Sequence, residues 1–199
     1  MRLFLAVFPP PEVQRAAFAA TEAMRRPGDG VSWVKPENLH YTLHFLGELG
    51  EDGARRAAEA AREAAGDHRA FDAALGGLGA FPDPRRARVL WVSMAEGAEE
   101  MKGLARSLEE ALGRRGFDRA DKPFSPHLTL GRVRAPREDW SARLAAAEPP
   151  AGAGARFRVE RLSLMESKLS PQGSIYTARA EGPLAAERVD PSSRPRAPR

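Results

Sequence analysis

Cysteine is absent from the 199 residues, which excludes a disulfide framework, a thiolate metal site and a cysteine nucleophile together. No run approaches the roughly 18 apolar residues of a membrane span. The opening Met1-Arg2-Leu3-Phe4-Leu5-Ala6-Val7-Phe8 meets three prolines before it reaches the length of a signal segment, so a soluble cytoplasmic protein is expected. Amides are scarce, with only Asn38, Gln14 and Gln172, and lysine supplies four of the 31 basic residues. A GC-rich genome and a thermophile's avoidance of labile side chains both fit that bias. The net charge of +4 and pI near 9.9 suggest nucleic acid, but Glu187 to Arg199 alone holds half of the excess. Hydrophobic residues at 42% and charged ones at 29% suffice for an ordinary core and exclude collagen, coiled coil and wholesale disorder.

Periodicity gives an order of elements. Leu3 to Phe8 reads as a strand, Glu12 to Arg26 as a helix ended by Pro27-Gly28, and Leu39 to Leu46 as a second strand. Asp52 to Ala65 reads as an Ala-rich amphipathic helix, Phe71 to Phe81 and Arg88 to Met94 as strands, and Ala98 to Arg115 as a third helix. Then follow a strand from Phe124 to Val133, a helix from Arg137 to Ala147, a Pro/Gly/Ala linker, and strands Arg156 to Glu166 and Ser174 to Ala180. Strands alternating with helices predict an α+β domain over residues 1–184, and the Pro/Ser/Arg composition of 185–199 predicts a disordered tail.

The order repeats. Leu3 precedes His40 by 37 residues across strand, helix and strand, and Leu90 precedes His127 by the same 37. The Arg88 to Met94 strand ends one unit and opens the next. Two lobes with antiparallel-type sheets, flanked by helices and related by a pseudo-two-fold around a central cleft, are the expected architecture.

Rare residues mark the chemistry. There are four His and four Thr, and random placement yields only about 0.08 His-x-Thr triplets in a chain of this length. Two occur, His40-Tyr41-Thr42-Leu43 and His127-Leu128-Thr129-Leu130, at equivalent points of the repeat. Strand side chains alternate faces, so each His projects with its Thr while Tyr41, Leu43, Leu128 and Leu130 pack oppositely. Two imidazoles facing one cleft suit paired general acid and base work near neutral pH, and two hydroxyls can donate to the anionic oxygens between them. A phosphodiester meets that requirement. Two His without Cys or a spaced carboxylate fall short of a zinc set, so no metal and no cofactor are expected. A Walker-type loop is absent, which leaves an ATP-dependent ligase unsupported.

On these residues the sequence resembles the two-histidine (2H) phosphoesterase superfamily, and within it the bacterial and archaeal RNA 2′,3′-cyclic phosphodiesterases, historically called 2′-5′ RNA ligases. The likeness spans about Met1 to Leu184. It is carried by Arg2 to Val7, by Trp33 to Glu48 with its Lys35-Pro36-Glu37-Asn38-Leu39-His40, by Lys122-Pro123-Phe124-Ser125-Pro126-His127 through Arg132, and by Leu164 to Ser167. The resemblance implies a bilobal α+β fold, with His40 as proton donor and His127 as the acceptor that activates water. It also implies hydrolysis of a terminal RNA 2′,3′-cyclic phosphate to a 2′-phosphate, and reversible 2′-5′ ligation of tRNA-like fragments in vitro. A monomer acting on RNA without a membrane is the expected state.

Other residues divide between two readings. Arg132 suits a phosphate, yet strict alternation from His127 and Thr129 puts it on the opposite face unless Gly131 permits a bulge; a structural ion pair is its alternative. His44 shares the parity of His40 but lacks a counterpart in the repeat, so a cleft-edge or surface place is expected. His68 reads as a solvated loop residue, Tyr176 and Trp33 as base-stacking or packing aromatics, and Trp91 as core. Two further functions compete with the first: cleavage of a small cyclic nucleotide or ADP-ribose cyclic phosphate, and RNA-end binding without catalysis.

Overall fold

The computed structural model describes residues 1–134, 138–171 and 173–186. Its strands are β1 (Arg2–Val7), β2 (Val31–Trp33), β3 (Tyr41–Glu48), β4 (Phe71–Phe81), β5 (Val89–Glu96), β6 (His127–Val133), β7 (Arg156–Val159), β8 (Arg161–Ser170) and β9 (Gly173–Pro183). The helices are α1 (Pro11–Ala19), α2 (Glu51–Gly66), α3 (Ala98–Gly113) and α4 (Ser141–Ala146). All strands join one antiparallel sheet. From its ends inward it runs β9-β8-β1-β3 on one side and β7-β4-β5-β6 on the other, and β2 pairs with β6. The two expected sheets are therefore halves of one, joined where β3 and β6 pair at Tyr41 and Leu128.

Each half-sheet draws strands from both parts of the sequence. The segment expected as one strand from Arg156 to Glu166 breaks at Glu160: β7 pairs with β4 in one half, and β8 crosses to pair with β1 in the other. Other boundaries differ for local reasons. Helix α1 ends at Ala19 rather than Arg26 because the chain tightens into three-residue turns, with the Thr21 hydroxyl donating to the Phe18 carbonyl at 2.7 Å. Strand β6 begins at His127, since Pro123 and Pro126 have no N–H to give a ladder. Of the helix expected from Arg137 only Ser141–Ala146 is helical, and Arg137 lies outside the described residues. At the end of the domain Ala185 pairs with Arg69, while residues 187–199 of the expected tail lie outside the described residues.

The sheet has two different faces. Leu3, Leu5 and Val7 of β1, with Tyr41, Leu128 and Leu130, point into the main core shared with the helices, where each buried side chain contributes roughly 2 kcal/mol. Phe4, Ala6 and Met165 point the other way and form a second cluster with Phe8 and Tyr176. Strand β1 is thus buried on both faces, which is why it reads as an uninterrupted apolar run. Helix α2 presents alanines to the core (Ala54, Ala57, Ala58, Ala61, Ala64 among them), and so lies close to the sheet. A Cβ on Gly182 of β9 would stand 2.7 Å from the Ala61 carbonyl oxygen, so this strand position has room for hydrogen only.

Candidate active site

The join between the half-sheets places four residues together. Tyr41 and Leu128 face each other across the β3–β6 pairing, and both are completely buried on the helix side. Continuing that antiparallel pairing one residue each way sets His40 opposite Thr129 and Thr42 opposite His127 on the other face. The two triplets therefore meet as two facing His–Thr pairs. Beside them Ala6 neighbours Thr42, and Trp91 neighbours Thr129.

Each imidazole is oriented the same way. His40 Nδ1 lies 2.7 Å from the Asn38 carbonyl oxygen and His127 Nδ1 lies 2.7 Å from that of Ser125. A carbonyl only accepts, so both Nδ1 atoms carry the hydrogen and donate it. Each Nε2 is left to take or give the proton at the cleft. Their surroundings differ: His40 is packed by Phe4, Phe8 and Tyr176 with ring centroids 4.9, 5.0 and 5.3 Å away, whereas His127 meets the edge of Phe81 at 5.0 Å. Burial lowers the pKa of His40 from its ordinary 6.5 to about 4, against the pull of the Asn38 carbonyl and with the positive charge of Arg132 and then His127 acting in the same direction. Burial also lowers that of His127, with Ser125 opposing and Arg132 adding to the fall. Both rings are consequently neutral in the unliganded protein at neutral pH.

Arg132 reaches the site through a bulge. Leu90 pairs with Gly131 but Trp91 pairs with Thr129, so Leu130 is the extra residue, and beyond it the parity of β6 reverses. Arg132 then stands on the face of Thr129, and it lines the same cleft as His40, Thr42 and Thr129. The expected bulge is present, displaced by one residue from Gly131. Gly131 has a different task, because a Cβ there would meet Val31 Cγ1 at 2.7 Å and Trp33 Cε3 at 3.0 Å where β2 packs.

Strand β3 does the same thing. Leu5 pairs with His44 and Ala6 with Thr42, which makes Leu43 the extra residue. The fourth residue of each motif is thus the bulged one. His44 is turned away from His40 and is 7% exposed, with burial lowering its pKa; it lines the cavity that contains His127, so of the two expected places the surface is corrected and the cleft edge is kept. Phe45 takes the position equivalent to Arg132, and its ring is 67% exposed over the cleft. A guanidinium and a bare phenyl ring therefore flank the four-residue centre.

The cleft has a volume of about 470 Å³, and among the described residues it is lined by three cations, Arg2, Lys35 and Arg132, and by no carboxylate. A second cavity of about 750 Å³ shares Thr42 and Phe45 with the first and includes His127. Among the described residues no group of three or more His, Asp or Glu is placed to hold a metal ion. Tyr176 packs edge-on against His40, and Trp33 lines the cleft with its Nε1 donating to Asp29 at 3.3 Å. Trp91 is half-buried and lies across Gly79 rather than deep in the core. His68 is not a free loop residue: its Nε2 shares a 2.8 Å hydrogen bond with the Ser107 hydroxyl of α3.

Known proteins share this sequence pattern and fold. The model of the 2′-5′ RNA ligase superfamily matches residues 9–170. A Methanothermobacter thermautotrophicus protein named RNA 2′,3′-cyclic phosphodiesterase is 40% identical over 148 residues, covering 74% of this chain and 79% of its own. One of the same name from Thermus thermophilus is 38% identical over 192 residues, covering 94% and 92%. Among solved structures, TT0787 of Thermus thermophilus superposes with a TM-score of 0.78 at 34% identity, covering 94% of this chain and 100% of that one. E. coli LigT complexed with 3′-AMP gives 0.73 at 26% identity, covering 92% and 97%.

Proposed function

The chain belongs to the 2′-5′ RNA ligase superfamily, and on that premise we propose that it hydrolyses terminal RNA 2′,3′-cyclic phosphates to 2′-phosphates without a metal. The observation that carries this reading is the pair of facing His–Thr couples, each His with Nδ1–H tied to a carbonyl and Nε2 left for proton transfer. The cyclic phosphate sits between the couples, its non-bridging oxygens held by Thr42, Thr129 and Arg132. His127 Nε2 takes a proton from water as it attacks phosphorus, the P–O3′ bond breaks, and His40 gives its proton to the departing O3′. Acid and base lie on opposite sides of the phosphorus, as in-line displacement requires. The base of the terminal nucleotide stacks on Phe45, whose exposed ring has no other evident use. The same displacement with a 5′-hydroxyl in place of water forms a P–O5′ bond as P–O3′ breaks, which is 2′-5′ ligation, and its reverse cleaves that linkage. The relatives' names support RNA over a small cyclic nucleotide as the substrate.

Incubation of an RNA ending in a 2′,3′-cyclic phosphate, with chelator present, should yield a 2′-phosphate end. Turnover of mononucleotide cyclic phosphates with no activity on RNA would defeat the assignment.

His40 must carry a proton to act as acid, and the depressed pKa says that it does not carry one until an anion arrives. Anion binding therefore takes up protons, and affinity falls as pH rises from about 4, the free-state value of His40, towards its value in the complex. Sulfate, which does not itself titrate in this range, should bind up to about tenfold more weakly per pH unit for each proton taken up. Calorimetry between pH 5 and 8 reads this directly, and an affinity that rises with pH would refute it.

A further inference from the structure

The duplication extends beyond the His–Thr triplets. Lys35-Pro36 stands five and four residues before His40, and Lys122-Pro123 stands five and four before His127, although the chain has only four lysines. In each copy the carbonyl two residues before the histidine orients the ring, so Lys, Pro and carbonyl recur as one unit. The two lysines are then divided between the cavities. Lys35 lines the cleft that contains His40, and Lys122 lines the cavity that contains His127. Among the described residues no ion pair or hydrogen bond engages either ammonium.

The reacting phosphate does not need them. It already has two imidazoles, two hydroxyls and the Arg132 guanidinium, so unpaired cations on both flanks answer to further negative charge. The His40 side holds the leaving oxygen and hence the terminal nucleotide. The His127 side holds the entering oxygen, and its cavity of about 750 Å³ greatly exceeds the roughly 30 Å³ that a water molecule occupies. Phe117 and Phe124 line that cavity with Arg56, Arg119 and Lys122 beside Asp118 and Asp121, so rings and an excess of cations stand together there, as single-stranded nucleic acid requires.

We propose that Lys35 and Lys122 are a matched pair of backbone-phosphate contacts. Lys35 holds the phosphate on the 5′ side of the terminal nucleotide, and Lys122 holds a phosphate of a second strand whose 5′-hydroxyl end enters beside His127. This rests on the reading of the centre as a cyclic phosphodiesterase, with His40 on the leaving side.

Calorimetry at one pH separates the two halves without relying on turnover. Adenosine 2′,5′-bisphosphate should bind about fivefold more tightly than adenosine 2′-monophosphate, an advantage that Lys35→Gln abolishes and Lys122→Gln keeps. A dinucleotide with a free 5′-hydroxyl, added to protein saturated with adenosine 2′-monophosphate, should bind about fivefold more weakly to Lys122→Gln than to the parent or to Lys35→Gln. Affinity of both variants for the monophosphate should stay unchanged, which also reports that they are folded. An advantage that is absent in the parent, or that survives in the matching variant, overturns the pairing. Loss of RNA turnover in the parent with these affinities intact would instead defeat the catalytic reading.

Discussion

His127→Ala is expected to slow hydrolysis of a cyclic phosphate end by roughly 10²- to 10⁴-fold, the range set by losing a positioned general base. His40→Ala should cost a similar factor through loss of the general acid. The double variant should be little worse than either single one, because acid and base act in one step. Opposite roles become visible with the leaving group: an aryl phosphodiester, whose phenolate departs without help, should restore most of the rate in His40→Ala and little in His127→Ala. Equal rescue of both would overturn the assignment of acid and base. His40 also packs against three aromatic rings, so thermal melting of His40→Asn should accompany the kinetics.

Arg132→Ala is expected to lower kcat by about 10²- to 10³-fold, the usual cost of removing a donor aimed at transition-state charge. Arg132→Lys should recover only part of this, since an ammonium cannot present two parallel N–H groups to a phosphate. The variant carries a second signature. The Arg132 charge lowers the pKa of both histidines, so its removal raises them, and the acid limb of the rate profile set by the base His127 moves to higher pH. An Arg132 engaged only in a structural ion pair would lower stability and leave that limb in place.

Thr42 and Thr129 were legible from the sequence because they depend on alternation within a single strand. Arg132 was legible only as one of two readings, and the burial of His44 was not. Both depend on one extra leucine, and whether Leu130 or Leu43 is extra is settled by how β5 and β1 pair alongside, which no local pattern records. A signal did exist in the duplication itself. Phe45 and Arg132 stand at the same offset from their threonines, as Lys35 and Lys122 do from their histidines, so the two copies correspond further outward than the triplets. The aromatic wall around His40 comes from β1, β9 and the residue after β1, segments that only the folded sheet brings together. Strand β2 is three residues long, too short for alternation to show. The crossing at Glu160 left no mark because the flanking segments are strands in either arrangement.

The crossing at Glu160 also bears on how the protein is made. Leu5 of β1 emerges early from the ribosome, but the Leu164 it pairs with on β8 is synthesised only near the end of the domain. Until then β1 has β3 on one side and an open edge on the other, with two apolar faces to shield. The half-sheet of β4, β5 and β6 can form earlier, and the half carrying His40 closes last. Catalytic competence is thus a sign that the chain has been completed through β9, and a nascent fragment ending before β8 holds both histidines in sequence but lacks Tyr176, one of the three rings that pack His40.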